Sequence, residues 1–305
     1  MPHDLHDLPK LRDSLSYLYL EHCRVEQSDL AIEIVDKEGR TPVPVASLSV
    51  LMLGPGTRIT HAAVMACAEN GCSILWCGEE NVRFYAAGLG ETRKAEHTLK
   101  QAYLVCDDEK RREVAWRMYE RRFGYRLAEN LGLNELRGRE GVRMRDAYAD
   151  ASEQYGVPWS GRRYNRKNWQ KADPINRALS AANACMYGIC HAAIVSGGYS
   201  PALGFIHTGL QLSFVYDVGD LYKTEITIPV AFRVTAESPR DVEERVRYAC
   251  RDQFRESRLL KRILDDIDSL LDLPVDLPEV ADEVDSDPAM PAALWEQLWQ
   301  EEARE

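Results

Sequence analysis

Several things are missing from this sequence, and each absence removes a class of function. None of its eight cysteines stands in a CxxC pair, so a zinc ribbon and a dithiol redox site both lack their parts. Cys23, Cys67, Cys72, Cys77, Cys106, Cys185, Cys190 and Cys250 sit mostly in apolar segments such as SILWC and NACMYGIC, where reduced, buried thiols are expected. No run of eighteen apolar residues occurs, and the opening Met1, Pro2, His3, Asp4 offers no basic region leading into an apolar stretch. A soluble, cytoplasmic protein with no membrane partner is expected. Also missing are a P-loop, a GxGxxG after a strand and a GxSxG elbow, which removes the nucleotide-cofactor and serine-hydrolase readings.

Positive charge is scarce only on average. The formal net charge is -11, from 49 acidic against 38 basic residues, and taken alone it argues against a nucleic-acid partner. From Asp265 to Glu305, however, fourteen acidic residues face one basic residue, Arg304. That tail carries -13 and leaves +2 for residues 1 to 264. Within Lys110 to Trp169 fifteen basic residues meet eight acidic ones. The chain is a mildly basic body with a strongly basic middle, which its acidic tail hides in the total.

At 305 residues and 45% hydrophobic content the chain is long enough for two domains. The first ninety residues read as β-rich: Tyr17 to Arg24, Leu30 to Asp36 and Val43 to Leu53 are apolar and aromatic runs separated by turn formers such as DKEGRTP. LGPGTRITHAAVMACAENGCSILWC predicts a Gly-Pro-Gly turn, a helix capped by Thr60 and ending at Asn70-Gly71, then a strand. Val82 to Ala87 makes a last strand. From Glu96 onward the period becomes helical, in Arg111 to Phe123, Leu131 to Tyr155 and the nearly apolar Ile175 to Gly197. TEITIPVAF is β-branched but holds Pro229, and we place a helix boundary there. Val242 to Leu273 reads as one long amphipathic helix or a pair. The fold class is therefore α+β: a β-rich domain over residues 1–88, a linker over 89–95, a mainly α-helical domain over 96–273, for which its acid and histidine clusters suggest metal binding, and an acidic, Pro-containing tail over 274–305. The tail's last segment places Leu294, Trp295, Leu298 and Trp299 on one stripe of a short helix, a docking face for a partner or for this chain unless the tail stays unfolded.

Acidic and histidine clusters carry the chemistry. GFIHTGLQLSFVYDVGDLYK holds His207, Asp217 and Asp220. If the segment is helical, both carboxylates point to one face, with His207 able to fold back over it. Divalent ions that activate phosphodiesters use a few carboxylate oxygens and keep positions open for phosphate and water. The plainer alternative makes Asp217 the cap of a helix starting near Val218, and His207 a loop histidine. Glu140, in LRGREGVRMR, is a further carboxylate. It is either a surface ion-pair partner of Arg137 and Arg143 or a metal ligand among arginines that hold a phosphate backbone. WSGRRYNRKNW, with Arg162, Arg163 and Tyr164, combines guanidinium groups with stackable rings, as single-stranded or splayed DNA ends require; a solvated loop with a core tryptophan is the alternative. The GPGTR turn brings Arg58 towards a helix N-terminus, a weak anion-site signal.

Together, LMLGPGTRITHAAV, WCGEENVRFYAAG, LRGREGVRMR, WSGRRYNRKNW and GFIHTGLQLSFVYDVGD, in this order, resemble the CRISPR adaptation integrase, the Cas-one family, in its type I-E branch. The resemblance covers about residues 12 to 260 and leaves out the tail. It implies a homodimer, an N-terminal β domain, a helical domain with a Mg2+ or Mn2+ site, and assembly with a small Cas-two partner. Carried over by position, Glu140, His207 and Asp220 match the metal ligands and Asp217 the neighbouring catalytic carboxylate. Arg58 and Arg83 match basic positions on the DNA face, and Tyr164, Tyr187 and Tyr216 match aromatics along the path of the DNA end. Two positions depart: His22 stands where the family has a tyrosine wedge, and Leu210 where it has a lysine. The implied reaction is a transesterification in which the 3′-hydroxyl of a captured fragment attacks a phosphodiester at the edge of the CRISPR repeat. Water in its place gives nuclease activity. The rivals are a stand-alone structure-specific nuclease and a non-catalytic DNA-binding scaffold.

Overall fold

The structure is a computed structural model that describes residues 17–28, 31–45, 48, 50–78, 84–88, 95–128, 131–162 and 173–275. Contacts divide the chain into one compact unit, Met1–Asp272, and a second, Leu273–Glu305. The tail stripe from Leu294 to Trp299 lies outside the described residues, as do Arg83, Arg163 and Tyr164.

The β-rich part forms two four-stranded sheets. In the first, β1 (Tyr17–Leu20), β5 (Val50–Leu53) and β7 (Ser73–Cys77) run parallel and β8 (Phe84–Gly88) closes one edge antiparallel to β7. Every residue of β5 is buried, as a continuous apolar run in an inner parallel strand should be. In the second, β4 (Arg40–Pro44), β3 (Ala31–Val35), β2 (Arg24–Ser28) and β6 (Arg58–Ile59) lie in that order. Val25, Ile32 and Ile34 from this sheet share one core with Leu51, Leu53 and Ile74 of the other and with Ala63 and Cys67 of α1 (His61–Glu69). The Thr60 hydroxyl caps α1 by accepting from the Ala63 amide at 3.2 Å.

Two strand expectations need correcting: Tyr17 to Arg24 is β1 up to Leu20 and then only the first residue of β2. Val43 to Leu53 is not continuous: β4 ends at Pro44 and β5 begins at Val50, in a different sheet. The apolar run spans both because each end faces the same core. All eight cysteines are free thiols, seven of them buried and Cys106 exposed.

The helical part follows the sequence reading closely. Its elements are α2 (Glu96–Cys106), α3 (Asp108–Phe123), α4 (Leu133–Tyr155), α5 (Pro174–Ser196), α6 (Ser213–Gly219), α7 (Ile228–Glu237), α8 (Val242–Glu256) and α9 (Leu259–Leu270). By length and composition alone α5 could cross a membrane; here it is the buried centre on which α6, α7, α8 and α9 pack. Phe84 of β8 stacks on His191 of α5 at 3.6 Å between ring centroids and so joins the sheet to the helices. A π-helical turn, Lys223–Thr227, leads directly into α7, whose first turn accommodates Pro229. The amphipathic run beyond Val242 is a pair of helices, broken at Arg258, whose φ of 48° is left-handed.

Candidate active site

The loop between α5 and α6 is fixed from outside before it contributes any chemistry. Gln101 of α2 donates to the carbonyls of Ser200 and Leu203 at 3.0 and 2.8 Å and accepts from the Ser200 amide at 2.7 Å. Arg111 of α3 donates to the Phe205 carbonyl at 3.2 Å. Gly204 is required by close approach: a Cβ there would stand 2.3 Å from the His207 carbonyl oxygen.

Asp217 organises this loop. It lies in the last turn of α6, not before a helix, and its side chain is 0% exposed. Oδ2 accepts from the amides of Phe205 and Ile206 at 2.6 and 3.0 Å. Oδ1 accepts from the His207 amide at 2.9 Å and lies 2.7 Å from His207 Nδ1. With its own acceptor role exhausted, Asp217 fixes the imidazole with Nδ1–H donated inward and the Nε2 lone pair left for a ligand, the outer-partner arrangement common at metal-binding histidines. The alternative in which Asp217 caps a helix near Val218 does not hold: the backbone amides it satisfies belong to the loop.

Asp220 follows at the end of α6, and Glu140 comes from α4. Arg122 of α3 reaches between them, 3.6 Å from Asp220 Oδ2 and 3.8 Å from Glu140 Oε1. Arg143 grips Glu140 with both ends of its fork, at 2.9 and 3.0 Å, and donates to the Thr224 hydroxyl. Arg137, the other expected neighbour, turns instead to Tyr119. Lys223 ion-pairs with Asp220 Oδ1 and lies 5.0 Å from the Tyr187 ring centroid. Burial works against the Lys223 ammonium, but Asp220 and the Tyr187 hydroxyl outweigh it and raise its pKa above the ordinary lysine value. Asp220 Oδ1 is buried against the Lys223 ammonium.

Two carboxylates and one pre-oriented imidazole make a donor set that suits a hard or borderline divalent ion. Among the described residues no three acidic, histidine or cysteine side chains are grouped closely enough to form a metal cluster. The basic side chains at Glu140 and Asp220 hold those carboxylates instead.

Tyr187 and Tyr216 meet edge to face at 4.9 Å, and Tyr216 meets His207 in the same way at 5.9 Å. Gly219 lets Tyr187 approach, since a Cβ would stand 2.9 Å from that ring. Arg162 donates to the Asn176 carbonyl at 3.3 Å and to Ser180, so it is fixed to the first turns of α5. Arg58 is exposed on β6, paired in register with Arg24 on β2, and precedes rather than occupies the N-terminus of α1. No ion-pair partner for Arg58 occurs among the described residues. His22 is exposed with φ 54°, its ring against Gly56. Leu210, on the rim beyond His207, is 58% exposed.

Sequence reasoning missed Arg122 and Lys223. The signal for Lys223 was its position three residues beyond Asp220, the helical spacing of an ion pair. For Arg122 it was a charge at a position that helical spacing assigns to the apolar stripe of α3.

A two-layer β region carrying a helical domain, with an Asp-His pair and two acids from separate helices set among arginines and tyrosines, defines a nucleic-acid-processing class of site. The model of the family described as CRISPR associated protein Cas1 matches residues 17–124 and 123–243, and the chain belongs to that family. A CRISPR-associated endonuclease Cas1 2 from Thermus thermophilus is 55% identical over 296 residues, covering 96% of this chain and 90% of that protein. CRISPR-associated endonuclease Cas1 of Escherichia coli K12 is 43% identical over 262 residues, covering 86% of each. Among solved structures, a TtCas1–DNA complex superimposes with a TM-score of 0.80 at 55% identity, covering 87% of this chain and 99% of that one. A casposase bound to integration product shares the fold, with a TM-score of 0.57 at 14% identity, covering 85% of this chain and 96% of that one.

Proposed function

We propose that this protein is the integrase and endonuclease of CRISPR spacer acquisition, of the type I-E kind, using Mg2+ or Mn2+ held by Glu140, His207 and Asp220. It joins the 3′-hydroxyl ends of captured fragments to CRISPR repeat DNA by transesterification, and nicks DNA when water takes the place of the 3′-hydroxyl. The observation that carries this reading is the Asp217–His207 pair, which donates Nδ1–H inward and leaves Nε2 uncommitted, together with Glu140 of α4 and Asp220 at the end of α6, which face one guanidinium, that of Arg122. The bound ion would polarise the scissile phosphate and stabilise the leaving 3′-oxygen. The chain's own groups do the rest. Tyr187 and Tyr216 wall the approach to the imidazole, and basic residues not closed on an acid, such as Arg58, seat the DNA backbone. No protein nucleophile enters the reaction.

The DNA has splayed or single-stranded ends on this reading, bound through Arg58, Arg83, Arg162, Arg163, Tyr164 and His22. The relative whose structure is named as a DNA complex supports a DNA substrate. The protein acts as a homodimer with a small Cas-two partner in the cytoplasm. Support for self-association comes from the edge strand β8, where Tyr85 is 62% exposed beside Ala86 and Ala87, with Trp76 next to it on β7, since exposed apolar edges seek partners.

The test is a joining assay with the purified partner, a 3′-hydroxyl fragment and a repeat-bearing plasmid. Joining should require divalent metal, stop in EDTA, and be abolished by Glu140→Ala while DNA affinity remains. A fragment ending in a 3′-deoxy sugar should be nicked against but never joined. Joining that persists in EDTA or in Glu140→Ala refutes the reading.

A further inference from the structure

Arg122 breaks the pattern of its own helix. Ala115, Met118, Tyr119 and Arg122 fall at helical spacing on one buried stripe of α3, and the first three are the apolar residues such a stripe calls for. The Arg122 side chain is 2% exposed, a costly place for a cation unless opposite charge and hydrogen bonds meet it. Its Nη2 donates to the Asp217 carbonyl oxygen at 3.2 Å. Its Nε has no hydrogen-bond partner. Its remaining compensation comes from Asp220 and Glu140, at 3.6 and 3.8 Å, and from the Tyr119 ring, 5.4 Å from the guanidinium carbon.

An arginine present only to pair with an acid closes on it as a fork, at about 2.7–2.9 Å; Arg143 does this to Glu140. Arg122 faces both acids and closes on neither. Its planar group thus sets where the two carboxylates sit relative to each other while leaving their lone pairs uncommitted to it. Its bond to the Asp217 carbonyl refers the same plane to the residue that orients His207.

We infer that Arg122 is a positioning residue for the reaction: one rigid buried cation that aligns Glu140, Asp220 and the Asp217–His207 pair for divalent-cation binding. This deepens the proposed metal-dependent function and rests on it. The alignment is needed because the four residues come from α4, the α5–α6 loop and the end of α6. No one element could hold them.

The readout is Mn2+ binding to the metal-stripped full-length protein, followed by the electron paramagnetic resonance signal of the free ion. Arg122→Gln should bind Mn2+ about 10- to 100-fold more weakly, the scale on which outer partners of metal ligands act. Arg122→Lys keeps the buried charge and therefore the fold, but one ammonium cannot span three acceptors; it should lose affinity by a smaller factor. DNA affinity in EDTA should stay within about twofold, because no phosphate contact is removed. Far-UV circular dichroism identifies the folded variants, and Arg122→Lys decides the matter if Arg122→Gln fails to fold. Wild-type or tighter Mn2+ affinity in either folded variant overturns the positioning role. If wild type and Glu140→Ala bind Mn2+ alike, the metal reading itself falls and the inference falls with it, an outcome distinguishable from failure of the positioning role alone.

Discussion

Asp217→Asn is nearly isosteric, yet it should disable the site for a reason the hydrogen bonds make explicit. The carboxylate meets four donors, two on each oxygen. An amide has one acceptor oxygen, so one pair of donors must face its NH2. If the NH2 replaces Oδ2, the buried amides of Phe205 and Ile206 lose their acceptor, at about 1.5–3 kcal/mol for each hydrogen bond to a charged group. If it replaces Oδ1, only the His207 amide is stranded, because the imidazole can change tautomer and accept through Nδ1. The second arrangement loses fewer bonds and should prevail, lowering stability by about 1.5–3 kcal/mol on the same scale. Its chemical consequence is larger. With Nδ1 accepting, Nε2 carries the proton and offers no lone pair. A wrong tautomer costs about 10⁴-fold in Ser-His-Asp triads, and loss of an outer partner costs about 10–100-fold at metal sites. Joining should therefore fall by roughly 10²- to 10⁴-fold, bracketed by those two cases. Single-turnover joining well below the melting temperature measures this, with DNA affinity in EDTA as the control. A folded Asp217→Asn variant that joins ends within about tenfold of wild type, below either effect, refutes the orientation argument.

Two further outcomes follow from other parts of the fold. Arg58→Ala should weaken DNA binding and reduce the slope of log K against log salt by about one unit, as for one lost phosphate contact; an unchanged slope in a salt titration places Arg58 off the DNA face. Burial lowers the pKa of His191 from 6.5 to about 4, so between those values the unfolded chain binds the proton and the folded one does not, and stability must fall as pH drops through that window. His191→Phe keeps a ring against Phe84 and removes this loss. Thermal melts of the two proteins at pH 7 and pH 5 should show a smaller drop for the variant, and equal drops would contradict the assignment.

Much of the helical part was legible because helix signals are local. Thr60, the apolar period of α5 and the spacing across α3 and α4 each act within one segment. The two sheets were less so. Strand β2 was missed, the first β segment ending at Arg24 where β2 begins, and β4 and β5 were read as one run. Which sheet a strand joins depends on pairing partners far along the chain, a choice that alternation of residues does not encode. The same distinction divides the site. His207, Asp217 and Asp220 share one short segment, so spacing could nominate them together; Glu140 could be nominated only as an acid among arginines, with a surface ion pair as the alternative, and Arg122 was invisible because its partners lie on other elements.

The residues missed explain why the chain is basic around its acids. Glu140 and Asp220 are each less than one-fifth exposed, at 16% and 18%, and partly buried acids would repel the DNA of the proposed reaction unless neutralised. Arg143 and Lys223 supply that compensation from the same elements as the acids or next to them, at three-residue offsets. Arg122 supplies it from a third helix. The strongly basic middle of the chain is thus not a uniform DNA-binding face. Part of its charge is spent internally, against carboxylates, and only residues without such partners remain to contact phosphate. Arginines already closed on an acid, such as Arg139 on Glu135 and Arg117 on Glu113, should therefore contribute less to the salt dependence of DNA binding than Arg58 does, even though the sequence gives all three the same formal charge.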